Sequence, residues 1–417
     1  MSGSSARTRV ERLLLAAGLL LLPARSFGLE VGGSYKVHLD WVYDALWQGE
    51  SSGIADNQLR LELGLSPAGP LSLQLAYLLR PELRSASLAA VESSYLSASA
   101  QYRIGDLAGR LLPASTAAQG DIALYQDLDR AVATLRLPFA DLYVGRQAIS
   151  WGSARVVNPT DILVPFGILR LDTEYRPGVD AARLRIPFAG MDELDLGYVA
   201  GEGFRFEASA LFARGRLYLA NTDLTLSGLL FRENLLAGLD VARAIGKASA
   251  WLEAAWVLPD LVSPAGDPLR ASYAGVSVGA DYNFAWGLYG YLEYHFNSAG
   301  SGGPQGYLDL LQDPAAHPAY SEGNVYLLGR HYLSLGGTYP LTPLLPVSFL
   351  LMLNLGDPSA GLSLSVDYNI RENLYLTGGL FLGLGSGPQL QGGLPVRYRS
   401  EFGAYPNLFY TAVKVYF

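Results

Sequence analysis

QLRLELGLS (58–66), PAGP (67–70) and LSLQLAY (71–77) follow one another, and the reading of this stretch decides the fold. Leu59, Leu61, Leu63 and Leu65 fall on one face, with Gln58, Arg60, Glu62, Gly64 and Ser66 on the other. A period of two belongs to a strand, whose successive side chains point to opposite sides. Two prolines and a glycine turn the chain, and Leu71, Leu73 and Leu75 resume the alternation. A strand with one apolar face and one polar face has two solutions. In a soluble sheet the leucines need a second layer over them; in a transmembrane barrel they meet lipid, while the polar face wets the lumen.

Three features favour the barrel. The pattern recurs from about 29–46 to about 399–417, with segments such as 129–137, 142–151 and 325–339 between, about eighteen in all and sixteen as the alternative. An even count returns both chain ends to one side. Tight turns (PAGP, PFAD, FAGMD, ANTD, AIGK) alternate with connections that are often much longer, the arrangement of short periplasmic turns and long external loops. Finally, FYTAVKVYF (409–417) places Phe409, Thr411, Val413, Val415 and Phe417 on one face and ends on an aromatic. This looks like the C-terminal signal read by the barrel-assembly machinery, carried by Phe409, Val413, Val415 and Phe417. Tyr and Trp near strand ends (Trp41, Tyr43, Trp47, Tyr282, Trp286) suit interfacial girdles. The expected fold is all-β, a transmembrane antiparallel β-barrel.

Composition agrees. The 417 residues include 47 Gly, 26 Tyr and only 16% charged residues, which suits strands and turns. The absence of cysteine excludes a disulfide framework and a cysteine nucleophile. A net charge of −8 without a basic cluster argues against nucleic acid. Arg7, Arg9 and Arg12 precede LLLAAGLLLLPA (13–24), so 1–28 reads as a secretory signal peptide cleaved after Gly28, or after Ser26. The rest, 29–417, reads as one barrel. Segment 81–128 lacks sustained alternation, contains IGDLAGRLL as a short-helix candidate, and is expected to be an external loop or lumen insert.

The alternation breaks most sharply at VGRQAISWGSARVVNPTD (144–161). Arg130, Arg136, Arg183 and Arg185 share faces opposite apolar residues and belong in the lumen, since an arginine facing mid-bilayer costs about 2–4 kcal/mol in a barrel. Arg146 is counted with them as a pore-lining candidate although it shares parity with Leu142 and Val144, so a bulge or bend is expected near Gly145. The connection 152–178 is apolar for a solvated loop (ILVPFGIL, 162–169) and gains by folding inward. That places Arg155, Asp161, Arg170, Asp172 and Arg176 near the pore axis; the alternative is a loop on the rim. Glu193 and Asp195 share the inward parity. They are either paired across the hairpin with Arg183 and Arg185 or separated into an opposing patch that sets a field.

GRQAISWG (145–152), NPTD (158–161) and EYRPGVDAARLRIP (174–187), with DLDR (127–130) and LNLGDPS (353–359), resemble a family of uncharacterised porin-like bacterial outer-membrane proteins. The resemblance covers about a third of the chain closely. It implies an outer-membrane barrel and brings no site residues with it.

No HExxH, GxSxG or EF-hand-type loop occurs, and the four histidines are scattered, although a Ser–His pair can still assemble in space. The reading is a non-enzymatic, cofactor-free channel for small polar or anionic solutes. The alternatives are an export conduit for a polysaccharide working with periplasmic partners, with Tyr289, Tyr291 and Tyr375 facing inward, and a plugged structural or adhesive barrel. Expected partners are outer-membrane lipid and lipopolysaccharide, the barrel-assembly machinery and periplasmic chaperones.

Overall fold

The computed structural model describes residues 28–45, 50–67, 69–84, 102–107, 109–112, 122–165, 174–188, 190–262, 270–313, 316–323 and 325–417. Residues 1–27 of the expected signal peptide, Trp47, Arg170 and Asp172 lie outside them. The wall begins with β1 (Leu29–Ala45), β2 (Glu50–Leu65), β3 (Leu71–Arg84), β4 (Ile122–Arg136), β5 (Asp141–Gln147) and β6 (Val179–Pro187). It continues with β7 (Glu193–Ala200), β8 (Ala210–Leu219), β9 (Thr222–Phe231), β10 (Asn234–Ile245), β11 (Ala248–Leu258) and β12 (Tyr273–Asn283). It ends with β13 (Tyr289–Asn297), β14 (His331–Thr342), β15 (Leu345–Asn354), β16 (Ser359–Arg371), β17 (Leu374–Leu384) and β18 (Asn407–Tyr416).

Each strand pairs antiparallel with the next, and β18 pairs with β1, from Tyr43↔Asn407 to Ser34↔Tyr416. Closure pairs the last strand with the first, so the wall has no open seam between its ends. A further short strand, Arg110–Leu112, lies on β4 beside the space that β5 vacates after Gln147. Among the described residues, short connections between β2 and β3, β4 and β5, β6 and β7, β8 and β9, β10 and β11, β12 and β13, β14 and β15, and β16 and β17 occupy one rim. The long connections occupy the other. An exception there is 232–233, where Arg232 (φ 46°) and Glu233 (φ 73°) make a two-residue hairpin turn.

The apolar faces point outward. Leu61, Val144, Leu226, Leu292 and Leu335 are 45–56% exposed, although they lie mid-strand, while Glu253 and Ser277 on the inward face are fully buried. A soluble protein does not leave such a belt bare, and a bilayer covers it. Trp41, Tyr43 and Trp256 mark the long-loop rim. At the short-turn rim Tyr282, Phe284, Trp286 and Tyr339 form a chain of rings with centroids 4.9, 5.6 and 5.6 Å apart.

Several sequence expectations shift. β5 ends at Gln147 rather than 151, because 148–165 leaves the wall. β14 starts at His331 rather than 325. Within the expected insert 81–128, Pro81–Arg84 and Ile122–Leu128 are wall, and Arg110–Leu112 is a strand where a helix was the candidate. At Gly145 the ladder shows no register shift; φ +117° bends the strand without an extra residue.

Phe409, Val413, Val415 and Phe417 all face outward, 36–58% exposed. Phe417 also closes the seam: its N–H donates to the Gly33 carbonyl at 3.0 Å, and its own carbonyl accepts from Gly33 N–H at 2.9 Å. Deleting Phe417 removes both bonds, about 0.5–1.5 kcal/mol each in net terms, and a lipid-facing ring. The expected outcome is a smaller heat-modifiable folded fraction on cold electrophoresis; an unchanged fraction would show that the seam tolerates the loss.

Candidate functional site in the lumen

The loop after β5 turns into the barrel because its sequence is apolar where a rim loop would be polar. Ile149, Trp151, Ile162, Leu163 and Val164 pack against the inward residues Val179, Ala181, Val199, Phe212, Leu229, Phe231 and Val257. Trp151 meets Phe212 edge-on at 4.9 Å, and the Arg214 guanidinium lies over the Trp151 ring, 4.9 Å from its centroid.

Burying a loop inside a barrel strands its backbone donors, and two wall carboxylates receive them. Glu253 on β11 accepts from the N–H groups of Ser153 (3.1 Å), Ala154 (3.1 Å) and Thr160 (2.9 Å) and from the Thr160 hydroxyl (2.7 Å). Glu293 on β13 accepts from the N–H groups of Arg155 (2.7 Å) and Val157 (3.0 Å), with Val156 between, and from Trp251 Nε1 (3.0 Å). Ser153 Oγ donates to Asp240 on β10. Gly152 sits at φ +103°, and a Cβ there would lie 2.5 Å from Glu253 Oε2. Opposite Pro159, the wall residue is Gly275, where a Cβ would come within 3.1 Å of the proline ring.

The returning limb reaches other walls. Arg176 pairs with Asp161 and donates to the Val164 carbonyl at 2.7 Å, which clips the two limbs together. Burial pushes the Asp161 carboxyl up to about 6, against the pull of Arg176. Glu174 meets Lys36 of β1 at 2.7 Å and the Tyr416 hydroxyl of β18 at 2.8 Å; the Tyr175 ring lies 4.1 Å from the Arg60 guanidinium carbon. Gly178 N–H donates to Asp129 at 3.0 Å. The described limbs therefore run from β10–β13 to β18, β1 and β2, across the lumen. A cavity of about 420 Å³ remains beside them, lined among others by Arg155, Asp161, Arg176, Tyr273, His295 and Tyr326.

The expected charges divide into groups. Arg155 is open: its side chain is 44% exposed, one guanidinium nitrogen 3.0 Å from Asp281, with the group 5.1 Å from the Trp251 ring. Arg183 makes a two-pronged bond to Asp195 (2.8 and 2.6 Å), and Arg185 pairs with Glu193 at 2.6 Å. Of the two arrangements left open by the sequence, the wall holds pairs across the β6–β7 hairpin. Arg130 donates to the carbonyls of Asp129 and Arg176, which fixes the returning limb. Arg136 is exposed beside the 137–140 turn, away from the loop. Arg146 is a correction: it is buried, bonded to Asp180, Asp106 and the carbonyls of Gly105 and Leu128. It fastens segment 102–107 to the wall.

Glu253 and Glu293 are not legible as arginine partners, because what they bind is the main chain of the loop. A signal was there: in WLE (251–253) and YLE (291–293) a lone glutamate shares the inward parity with an aromatic two residues earlier. A Ser–His pair does assemble, Ser277 Oγ lying 2.9 Å from His295 Nδ1. Ser277 is fully buried and donates its proton to the Val157 carbonyl at 2.6 Å, so it serves as an anchor for the loop. Among the described residues no group of three or more His, Asp or Glu is placed to hold a metal ion.

No protein-family model and no curated protein matches the sequence. Solved structures do. The chain is similar to OccAB2 of Acinetobacter baumannii, with TM-score 0.58 and 11% identity over 93% of this chain and 98% of that one. It is similar also to the outer membrane protein OpdK of Pseudomonas aeruginosa, with TM-score 0.56 and 9% identity over 93% and 98%. The fold is that of an outer-membrane porin. OccAB4 of Acinetobacter baumannii gives TM-score 0.57 at 9% identity over 95% of this chain and all of that one. At such identity the porin likeness concerns the wall and its connectivity. The arrangement of Glu253, Glu293 and Arg155 is read from this chain's own geometry.

Proposed function

We propose that the chain is a passive diffusion channel of a bacterial outer membrane, in which the 148–178 loop forms the constriction and small polar or anionic solutes pass beside Arg155. The observation that carries this is the loop's double attachment, to Glu253 and Glu293 on one wall and to Lys36 and Tyr416 on another. A lumen crossed at that level leaves a cavity of small-solute size beside Arg155, whereas a polymer conduit needs an open bore, so the export reading is the weaker one. The reading assigns the chain no reaction. The outward C-terminal face from Phe409 to Phe417 is the segment offered to the assembly machinery and its chaperones.

Purified protein in planar bilayers should show discrete conductance steps, and liposomes carrying it should swell in small polar or anionic solutes but not in oligosaccharides. Absence of steps would leave the barrel as a plugged, structural one.

A further inference from the structure

We propose that segment 102–112 is a membrane-facing cover: it lies over an outward-facing charge pair of the barrel wall and offers an apolar surface to the acyl chains of the outer membrane. The inference rests on the membrane fold and stands whether or not solute passes. It begins from the parity of Arg146. In the ladder Arg146 is opposed by Ala131 on β4 and by Asp180 on β6, two residues along from the Val144–Ala182 pair. Val144 is 48% exposed, and Ala182 is exposed as well. Side chains two residues apart on a strand share a face, so Arg146 and Asp180 belong to the lipid side of the wall. Arg146 stands five residues past Asp141, the start of β5. At about 3.3 Å per residue on a tilted strand, that lies within an apolar band about 25 Å tall. Charges at such a depth need cover.

Segment 102–107 supplies it. Arg146 holds Asp180 at 2.8 and 3.0 Å and donates to the Gly105 carbonyl at 2.8 Å and to Asp106 at 2.9 Å. Asp180 accepts in addition from Ile104 N–H at 2.9 Å. Irregular backbone survives at membrane depth only where protein partners meet its polar groups. Here the carbonyls of Tyr102, Ile104 and Gly109 accept from the N–H groups of Asp180 (3.0 Å), Gly203 (3.2 Å) and Gln126 (2.7 Å). Leu107 N–H donates to Asp106 at 3.0 Å, and Arg103 donates to the Gly178 carbonyl at 2.9 Å and to Asp127 at 2.5 Å.

With the polar groups turned to the wall, the apolar side chains are left outside: Ile104, Leu107 and Leu112 are 36–59% exposed. Leu112 is opposed by Leu124, which shares a face with the exposed Ile122, so the patch is continuous with the belt that meets the bilayer. That continuity is why acyl chains are its partner. β5 ends at Gln147 to supply the constriction, and the cover closes over the charges exposed beside that departure.

The chain has no cysteine, so single cysteines can be labelled cleanly. The test places a bimane on Leu107→Cys or Leu112→Cys in the intact barrel, reconstituted in phosphatidylcholine vesicles. Lipid brominated along its acyl chains should remove about half of the emission at both positions, as at Leu61→Cys on the belt. Asp309→Cys, on the exposed part of the 298–330 connection, should keep its emission and be the label that aqueous iodide quenches. Iodide quenching at 107 and 112 would make the segment an ordinary water-side loop. Access by neither quencher would put a second copy of the chain over it, and either result overturns the proposal. Arg146→Ala should release position 107 to iodide, while position 112, held through the β4 ladder, stays with the lipid. Unchanged quenching at 107 in a folded Arg146→Ala barrel would remove Arg146 from this role. Where that variant does not fold, Arg146→Lys takes its place, since a single ammonium cannot reproduce the planar fork. None of these readings needs a conductance, so a silent channel would leave the cover standing.

Discussion

Glu253→Gln combined with Glu293→Gln should roughly double the single-channel conductance and broaden its distribution, as expected where a constriction sets the resistance. An ionised carboxylate only accepts, whereas a glutamine side chain turns half of its polar end into a donor. Each substitution therefore points an NH₂ group at a cluster of loop N–H donors. Every buried donor left without an acceptor costs about 1–3 kcal/mol, and each glutamate serves four donor groups. The loop should then loosen from β11 and β13, while its ties to Ser277, Asp240, Asp129 and Lys36 remain. The wall ladder is untouched, so heat-modifiable mobility should persist. A folded double variant with the wild-type conductance would mean that the narrowest point lies elsewhere.

Arg155→Ala should lower the anion-to-cation permeability ratio roughly five-fold in dilute salt, and Arg155→Glu should invert the preference. The estimate takes one unit charge at about 4 Å from a passing ion in a water-like dielectric, about 1 kcal/mol. Screening provides a control, because the Debye length falls from about 10 Å at 0.1 M to about 3 Å at 1 M. The effect should fade over that range. Removing Arg185 and Glu193 together deletes a closed pair and should leave the ratio unchanged. Reversal potentials identical to wild type in Arg155→Ala at low salt would place this side chain away from the ion path.

The wall was legible because its signal is local. A period of two along 58–77 states which side meets lipid, and strand after strand repeats it. The inward turn of 148–165 was legible from its apolar content together with the broken rhythm. What holds the loop was not. Glu253 lies 93 residues beyond Thr160 and Glu293 lies 136 beyond Val157, and both bind main-chain groups, which carry no residue code. Arg146 misled because an arginine among apolar neighbours suggests a lumen side chain, whereas here Asp180, Asp106 and two carbonyls bury it. Segment 325–330 continues the alternation of β14 on paper, yet its N–H groups go to Glu401 instead of a neighbouring strand.

Anchorage through main-chain amides separates two properties that many binding loops entangle. The side chains at 155 and 156 are not what Glu293 grips, so they can be exchanged without loosening the grip. Sequence variation at those positions would retune which molecules are admitted while the mechanical frame stays put. For anyone wishing to redesign this pore, the filter can be rewritten one residue at a time, with the two glutamates left alone.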